Sequence, residues 1–262
     1  MAIKPIIEGR NVIALGQPCI GRKLAFTIGI LQRIDTSKHE TQALILVSTR
    51  ELASHLYMNM EKIGERIPNL TIELFRGGDN VQDSKRRAST LPHIAVATPG
   101  RALQLINEGY LRCENLSIFC ISEAEVCLEG NFLEQIQQII SNFSPTIQFL
   151  IFFSRISSAV NQMLQSLVPD PIKIVVGENQ PSMEGIKQFY VDVGQPNYKM
   201  DTLMDIYGSL SISKAIIFAN SRDTVNYLVD QFTRANFDVS AYSSTLSNAE
   251  RESVMRDFRL RS

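Results

Sequence analysis

The chain lacks most of the features that would place it outside the ordinary globular class. It has no C-x-x-C pair, and its four cysteines are Cys19, Cys113, Cys120 and Cys127. That pattern implies reduced thiols in a cytosolic or nuclear protein. Cys113, Cys120 and Cys127 fall seven apart, but they would straddle a strand and its flanking loops. They read as core or surface thiols rather than as a metal site. No apolar run approaches the length of a membrane span. The N-terminus, Met1-Ala2-Ile3-Lys4-Pro5, carries no apolar signal segment. An excess of either charge is missing too: 26 Lys and Arg face 27 Asp and Glu, with formal net charge −1 and pI about 6.3. With no global positive field, any contact with nucleic acid must come from a local patch. What is present is a 44% hydrophobic, 20% charged composition over 262 residues. That predicts a packed core, in one large domain or two smaller ones.

Short apolar, β-rich runs alternate with helix-length segments. The runs predict strands at Asn11–Gly16, Ala43–Val47, Thr71–Phe75, His93–Ala97, Ser117–Ile121, Gln148–Phe153 and Ile172–Val176. This alternation is the signature of a doubly wound α/β domain with a mostly parallel sheet. Ligands of such sheets bind at the carboxyl ends of strands, where Gly16, Ser48, Thr98, Ser122 and Ser154 fall. The polar stretch 177–184 then reads as a linker between a first domain, 1–176, and a second unit, 185–262. In that unit strands are expected at Ile186–Val193, Ala215–Ala219 and Asp238–Tyr242. Helices are expected at Tyr198–Leu210, Arg222–Ala235 and Asn248–Leu260. Val225, Leu228, Val229 and Phe232 recur at helical spacing and predict one buried stripe. Ser247 and Glu250 predict a capping box. About 80 residues is thin for an α/β domain, so the second unit reads as cut short.

Residues 16 to 23, Gly16-Gln17-Pro18-Cys19-Ile20-Gly21-Arg22-Lys23, have the frame of a nucleotide phosphate loop. The pattern G-x-x-x-x-G-K-S/T lies between a strand and a helix, and here the apolar segment Leu24–Ile34 supplies the helix. The glycine spacing fits. Arg22, however, stands where Lys belongs, and Lys23 stands where a Ser or Thr hydroxyl binds magnesium.

Further segments follow in order: Ser48-Thr49-Arg50-Glu51-Leu52-Ala53, Arg76-Gly77-Gly78-Asp79-Asn80, Thr98-Pro99-Gly100-Arg101, Ser122-Glu123-Ala124-Glu125 and Ser154-Arg155-Ile156. In the second unit come Ile217-Phe218-Ala219-Asn220-Ser221-Arg222 and Glu250-Arg251. Together they resemble a DEAD-box RNA helicase of the translation-initiation type. Gly185–Tyr190 and Ala235–Ser240 read like that subgroup in particular. The resemblance implies RecA-like folding, with one complete domain of the ATP-binding type and part of a second of the C-terminal type. It implies single-stranded RNA held by its backbone at Thr49, Arg50, Gly77, Gly78, Thr98, Pro99, Gly100 and Arg101. Glycine N–H groups, helix N-termini, hydroxyls and guanidinium groups suit phosphate oxygens and read no bases. It also implies a cytoplasmic or nuclear location, and a helical-repeat scaffold protein of translation initiation as a partner.

The ATP machinery departs from that family. Gly16, Gln17, Gly21, Arg22 and Lys23 are the residues left to hold a nucleotide. Pro18 and Cys19 replace phosphate-cradling residues, and Pro has no N–H to give. Ser122 replaces a magnesium carboxylate, Glu125 replaces the last Asp of D-E-A-D, and Arg155-Ile156 replaces the Ala-Thr of S-A-T. Glu123, the base that orients the attacking water in the family, is kept. The segment that carries the family's arginine finger is expected beyond Ser262. ATP is therefore expected to bind weakly and magnesium to lack its ligands. Two readings stand open: a pseudoenzyme that binds RNA or initiation partners without ATP turnover, and a working ATP-dependent helicase whose loop tolerates the exchanges. A fragment or divergent gene copy with no activity is a third. Locally, Arg22-Lys23 reads equally as an anion site or a solvated basic pair. Ser122–Glu125 and Ser48–Glu51 read as S-x-x-E capping boxes. Phe189 and Tyr190 alternate on an expected strand, so one of them should be buried.

Overall fold

The computed structural model describes residues 1–17, 20–128, 132–155, 157–176 and 187–260. The linker at 177–184, Pro18, Cys19, Ile156, Gly185 and Ile186 lie outside the described residues. The chain divides into two compact units, Met1–Glu184 and Gly185–Ser262.

The first unit is built on seven parallel strands: β1 Val12–Gly16, β2 Ala43–Val47, β3 Ile72–Phe75, β4 Ile94–Ala97, β5 Ile118–Ser122, β6 Gln148–Phe153 and β7 Ile172–Val176. Their order across the sheet is β3-β4-β2-β5-β6-β1-β7. The runs read from sequence land within a residue of these bounds, because strands covered on both faces are continuous apolar runs. α1 Ile3–Ile7 precedes β1, and the crossovers supply α2 Arg22–Leu31, α3 Arg50–Gly64, α4 Val81–Ala88, α5 Pro99–Asn107, α6 Ala124–Cys127, α7 Leu133–Ile140 and α8 Ser158–Leu167.

Side chains alternate along each strand into two cores, one on each face of the sheet. On one face Val12, Ala14, Ile45, Val47 and Phe152 meet Ile6 of α1, Phe26 and Ile30 of α2, and Leu56 and Met60 of α3. On the other face Ile13, Leu46, Phe119, Ile151 and Phe153 meet Leu105 of α5, Ile136 and Ile139 of α7, and Leu164 of α8. Phe26 and Phe152 pack at a 5.0 Å centroid distance. Gly29 lets α1 close on α2, since a Cβ there would stand 2.6 Å from Ile6 Cγ2. Cys113, Cys120 and Cys127 are free and buried. Burial pushes the thiols of Cys113 and Cys127 up to about 12, so they sit in the core as unreactive small apolar groups.

The second unit keeps the expected helices: a short 3-10 turn Pro196–Tyr198, then α9 Lys199–Ser209, α10 Arg222–Arg234 and α11 Asn248–Leu260. Tyr207, Phe232 and Phe237 form an aromatic cluster with centroids 5.1 to 5.5 Å apart. In the expected stripe of α10 only Phe232 is fully buried; Val225, Leu228 and Val229 are half-buried. The capping box of α11 forms as expected. Ser247 N–H donates to Glu250 Oε2 at 2.7 Å, and Glu250 N–H donates to Ser247 Oγ at 3.3 Å. The expected strands do not form. Among the described residues, 187–193, 215–219 and 238–242 carry no sheet ladder. Phe189 and Tyr190 are both exposed, at 85% and 88%, which overturns the expectation that one is buried. A strand is stabilised by neighbours that pair with it, and composition alone does not supply them.

Candidate functional site

The carboxyl edge of the first unit's sheet divides by strand order into two neighbouring parts. The tops of β3, β4 and β2 carry the segments around Gly77, Thr98 and Thr49. The tops of β5, β6 and β1 carry Glu123, Ser154 and the loop that begins at Gly16.

In the first part the loops brace one another. Thr98 ends its strand segment by donating N–H to Phe75 O at 3.0 Å, and its Oγ1 accepts the Gly77 N–H at 3.1 Å. That bond fastens the double-glycine turn to the start of α5, where Pro99 gives up no N–H. Gly78 is exposed with φ +90°, which only glycine adopts without strain. Gly77 lies against the Arg50 guanidinium, 3.6 Å from the point where a Cβ would sit. Thr49, not Ser48, caps α3, its side chain accepting the Leu52 N–H at 3.2 Å. The expected capping box from Ser48 to Glu51 therefore does not form: Ser48 is still buried beside the sheet, and a single cap bond one residue later, from Leu52 N–H to Thr49, takes its place. Thr49 and Gly100 are exposed, Arg50 and Gly77 half-buried.

Thr98 and Pro99 are buried, and so is Arg101. It is 6% exposed, its Nη1 donating to Ser84 Oγ at 2.6 Å and its Nη2 to Asp79 O at 2.9 Å. Arg76 grips the same turn through Asp79 at 3.1 Å and ties it to Ser54 at 2.5 Å. Ser84 and Ser54 escaped the sequence reading, and Asp79 entered it only as part of the double-glycine segment, since nothing in their spacing marks them as partners of these arginines.

In the second part Gly21, at φ +84°, precedes α2, and Arg22 and Lys23 open that helix. Two cations at the positive end of a helix dipole are unfavourable by a few tenths to about 1 kcal/mol each. The structure answers half of that cost: Lys23 Nζ stands 3.2 Å from Glu123 Oε1, with the side chains 36% and 26% exposed. Lys23 is thus ion-paired on one side and still partly exposed. Arg22 Nη1 is buried with no hydrogen-bond partner. A buried charged donor left unmatched costs more than the roughly 1–3 kcal/mol of a neutral one.

Glu123 itself is held at φ +58°, a left-handed conformation that a non-glycine residue adopts at some cost. It directs the turn into the short α6. The capping box expected from Ser122 to Glu125 does not form. Ser122 is the last residue of β5, and Glu125 turns away to accept from the backbone N–H of Ser154, at 3.2 Å, and from its hydroxyl. Bonds from Ser154 satisfy a buried carboxylate better than a single cap contact would.

Residues 1–155, more than half the chain, match the DEAD/DEAH box helicase family. The chain belongs to that family. Residues 198–262 of this DEAD-box chain match the helicase conserved C-terminal domain. It is 38% identical over 258 residues to eukaryotic initiation factor 4A of Drosophila melanogaster, covering 98% of this chain and 64% of the relative. It is 37% identical to ATP-dependent RNA helicase eIF4A of Scheffersomyces stipitis, covering 98% of this chain and 65% of that one. Among solved structures it is similar to S. cerevisiae Dbp5 bound to RNA and ADP–beryllium fluoride, with TM-score 0.85 and 26% identity over 96% of this chain and 63% of that one. The chain therefore spans just under two thirds of the length of these relatives, and its α/β architecture is RecA-like.

The DEAD-box pattern calls for a magnesium ion between the Ser or Thr of the loop and the first Asp of D-E-A-D. The residues here do not fit one. An ammonium stands at the first of those positions and a neutral hydroxyl at the second, and Glu123 is already ion-paired. Among the described residues no cluster of three His, Cys, Asp or Glu could hold a metal.

Proposed function

We propose that this DEAD-box protein of the eIF4A type binds single-stranded RNA through its backbone and does not turn over ATP. Residues 1–176 act as a RecA-like domain of the ATP-binding type, and 185–262 belong to a unit of the C-terminal type. The observation that carries this reading is the 3.2 Å contact between Lys23 and Glu123. A general base must be free to take a proton and must reach the attacking water. Here the one retained catalytic carboxylate faces an ammonium instead. With Ser122 in place of the magnesium carboxylate as well, cooperating parts of one site are lost together, and such losses leave little residual rate.

RNA is held at Thr49, Arg50, Gly77, Gly78, Thr98, Pro99 and Gly100, with Arg101 bracing the turn beneath them. ATP is a weak ligand at Gly16, Gln17, Gly21, Arg22 and Lys23. The cytoplasmic translation machinery is the setting, with a helical-repeat initiation scaffold as the partner for which this chain competes with an active helicase. Phosphate release in the presence of saturating RNA tests the central reading. No RNA-stimulated release is expected; turnover near about 1 s⁻¹, within the usual range of phosphoryl-transfer enzymes, overturns it. Co-purification with the scaffold, and its competition by active helicase, tests the partner.

A further inference from the structure

The exchanges at the nucleotide end of the sheet are not independent losses. Relative to the DEAD-box pattern, Lys23 in place of a neutral hydroxyl residue adds one positive charge. Ser122 in place of an aspartate removes one negative charge. Together they change the local charge by two positive units, the charge of a single divalent cation. The two residues also belong to one place in the fold. Lys23 is the second residue of α2, directly after the β1 loop, and Ser122 adjoins Glu123 at the top of β5, with β6 between those strands. Lys23 Nζ reaches Glu123 Oε1, on the residue next to Ser122, at 3.2 Å.

We propose that the Lys23 ammonium is a built-in replacement for the divalent cation, so that this chain binds a nucleoside di- or triphosphate without magnesium. An ammonium has three N–H donors, and the Glu123 carboxylate engages one side of it. The pair is partly exposed, which leaves Lys23 room to turn remaining donors toward a phosphate oxygen. Lys23 then bridges phosphate and carboxylate, as a metal ion otherwise would. The neighbouring Arg22 brings a second positive charge to the same helical turn, its Nη1 buried and without an acceptor. Glu123 serves in this arrangement to orient Lys23, not as a base.

The inference rests on reading this end of the sheet as a nucleotide site, and its test differs from the turnover test. ADP and ATP are titrated into the full chain by calorimetry, in EDTA and in excess magnesium chloride. Dissociation constants within about twofold of each other in the two buffers are expected. Lys23→Thr should weaken binding in EDTA tenfold or more, whereas Lys23→Arg, which keeps the charge, should retain it. Thermal melting confirms that each variant is folded. Binding that tightens tenfold or more with magnesium overturns the inference while leaving the absence of turnover standing. No binding in either buffer overturns it together with the nucleotide reading, and leaves the RNA reading intact. Unchanged binding by Lys23→Thr shows that Lys23 is not the replacement and overturns it as well.

Discussion

The two parts of the sheet's carboxyl edge have kept different things. Over β3, β4 and β2 the Thr98 hydroxyl, the double-glycine turn and the buried Arg101 form a network in which the described loops hold one another in place. Over β5, β6 and β1 the backbone frame persists, with Gly16 ending β1 and Gly21 turning into α2, but its charges now answer each other. The lesson is that a scaffold and its chemistry separate readily. Backbone-directed binding needs turns and helix ends, which the fold must form anyway. Hydrolysis needs particular ionisable groups left unpaired at one point, and here Lys23 Nζ stands 3.2 Å from Glu123 Oε1.

Four experiments press on this contrast. The largest effect is expected from Arg101→Ala. It leaves Ser84 Oγ and Asp79 O without their buried charged donor, which should cost about 2–4 kcal/mol of stability in denaturant unfolding. It should also weaken binding to unrelated RNA sequences by a similar factor, because it loosens the turn and removes no base contact. Sequence-selective loss would mean that Arg101 reads bases. Thr98→Val comes next. It removes the acceptor of the Gly77 N–H and should cost about 1–3 kcal/mol, with RNA affinity falling in step.

The triple change Arg22→Lys, Lys23→Thr and Ser122→Asp tests the other end. Calorimetry should show magnesium-dependent nucleotide binding, at least about tenfold tighter with the metal than without, which is a difference of about 1.4 kcal/mol. If it binds no better with magnesium, the frame around β1 has drifted too far to be restored. The smallest effect is expected from Lys23→Met. A partly exposed ion pair contributes about 0–1 kcal/mol, so its melting temperature should barely move. A large drop would make Lys23 a structural residue and blur the contrast between the two ends.

The second unit shows the limit of reading strands from composition. Residues 215–219, Ala-Ile-Ile-Phe-Ala, are as apolar as 43–47, Ala-Leu-Ile-Leu-Val. Yet 43–47 is a fully buried strand paired on both sides, while Phe218 is 91% exposed and its segment carries no ladder. The helices of that unit were legible because their hydrogen bonds are local and their caps, such as Ser247 with Glu250, lie a turn away. The capping boxes of the first unit misled for the opposite reason. Glu125 found Ser154, just past the end of β6 and 29 residues away, a competitor that no local pattern reveals.

What the sequence by itself determined is the strands of the first unit, the helices of the second, and the family. Continuous apolar runs, helical periodicity and the ordered motifs from Gly16 to Ser154 are properties of neighbouring residues, and they survive without knowledge of the fold. The tertiary structure alone decided the order β3-β4-β2-β5-β6-β1-β7, which sets β5 and β1 on either side of β6. It also decided the partners of the charged groups: Lys23 with Glu123, Arg101 with Ser84, Glu125 with Ser154. Each of those pairs is distant in sequence. The strength of a charge–charge contact depends on separation in space and on burial, and only the folded sheet supplies either.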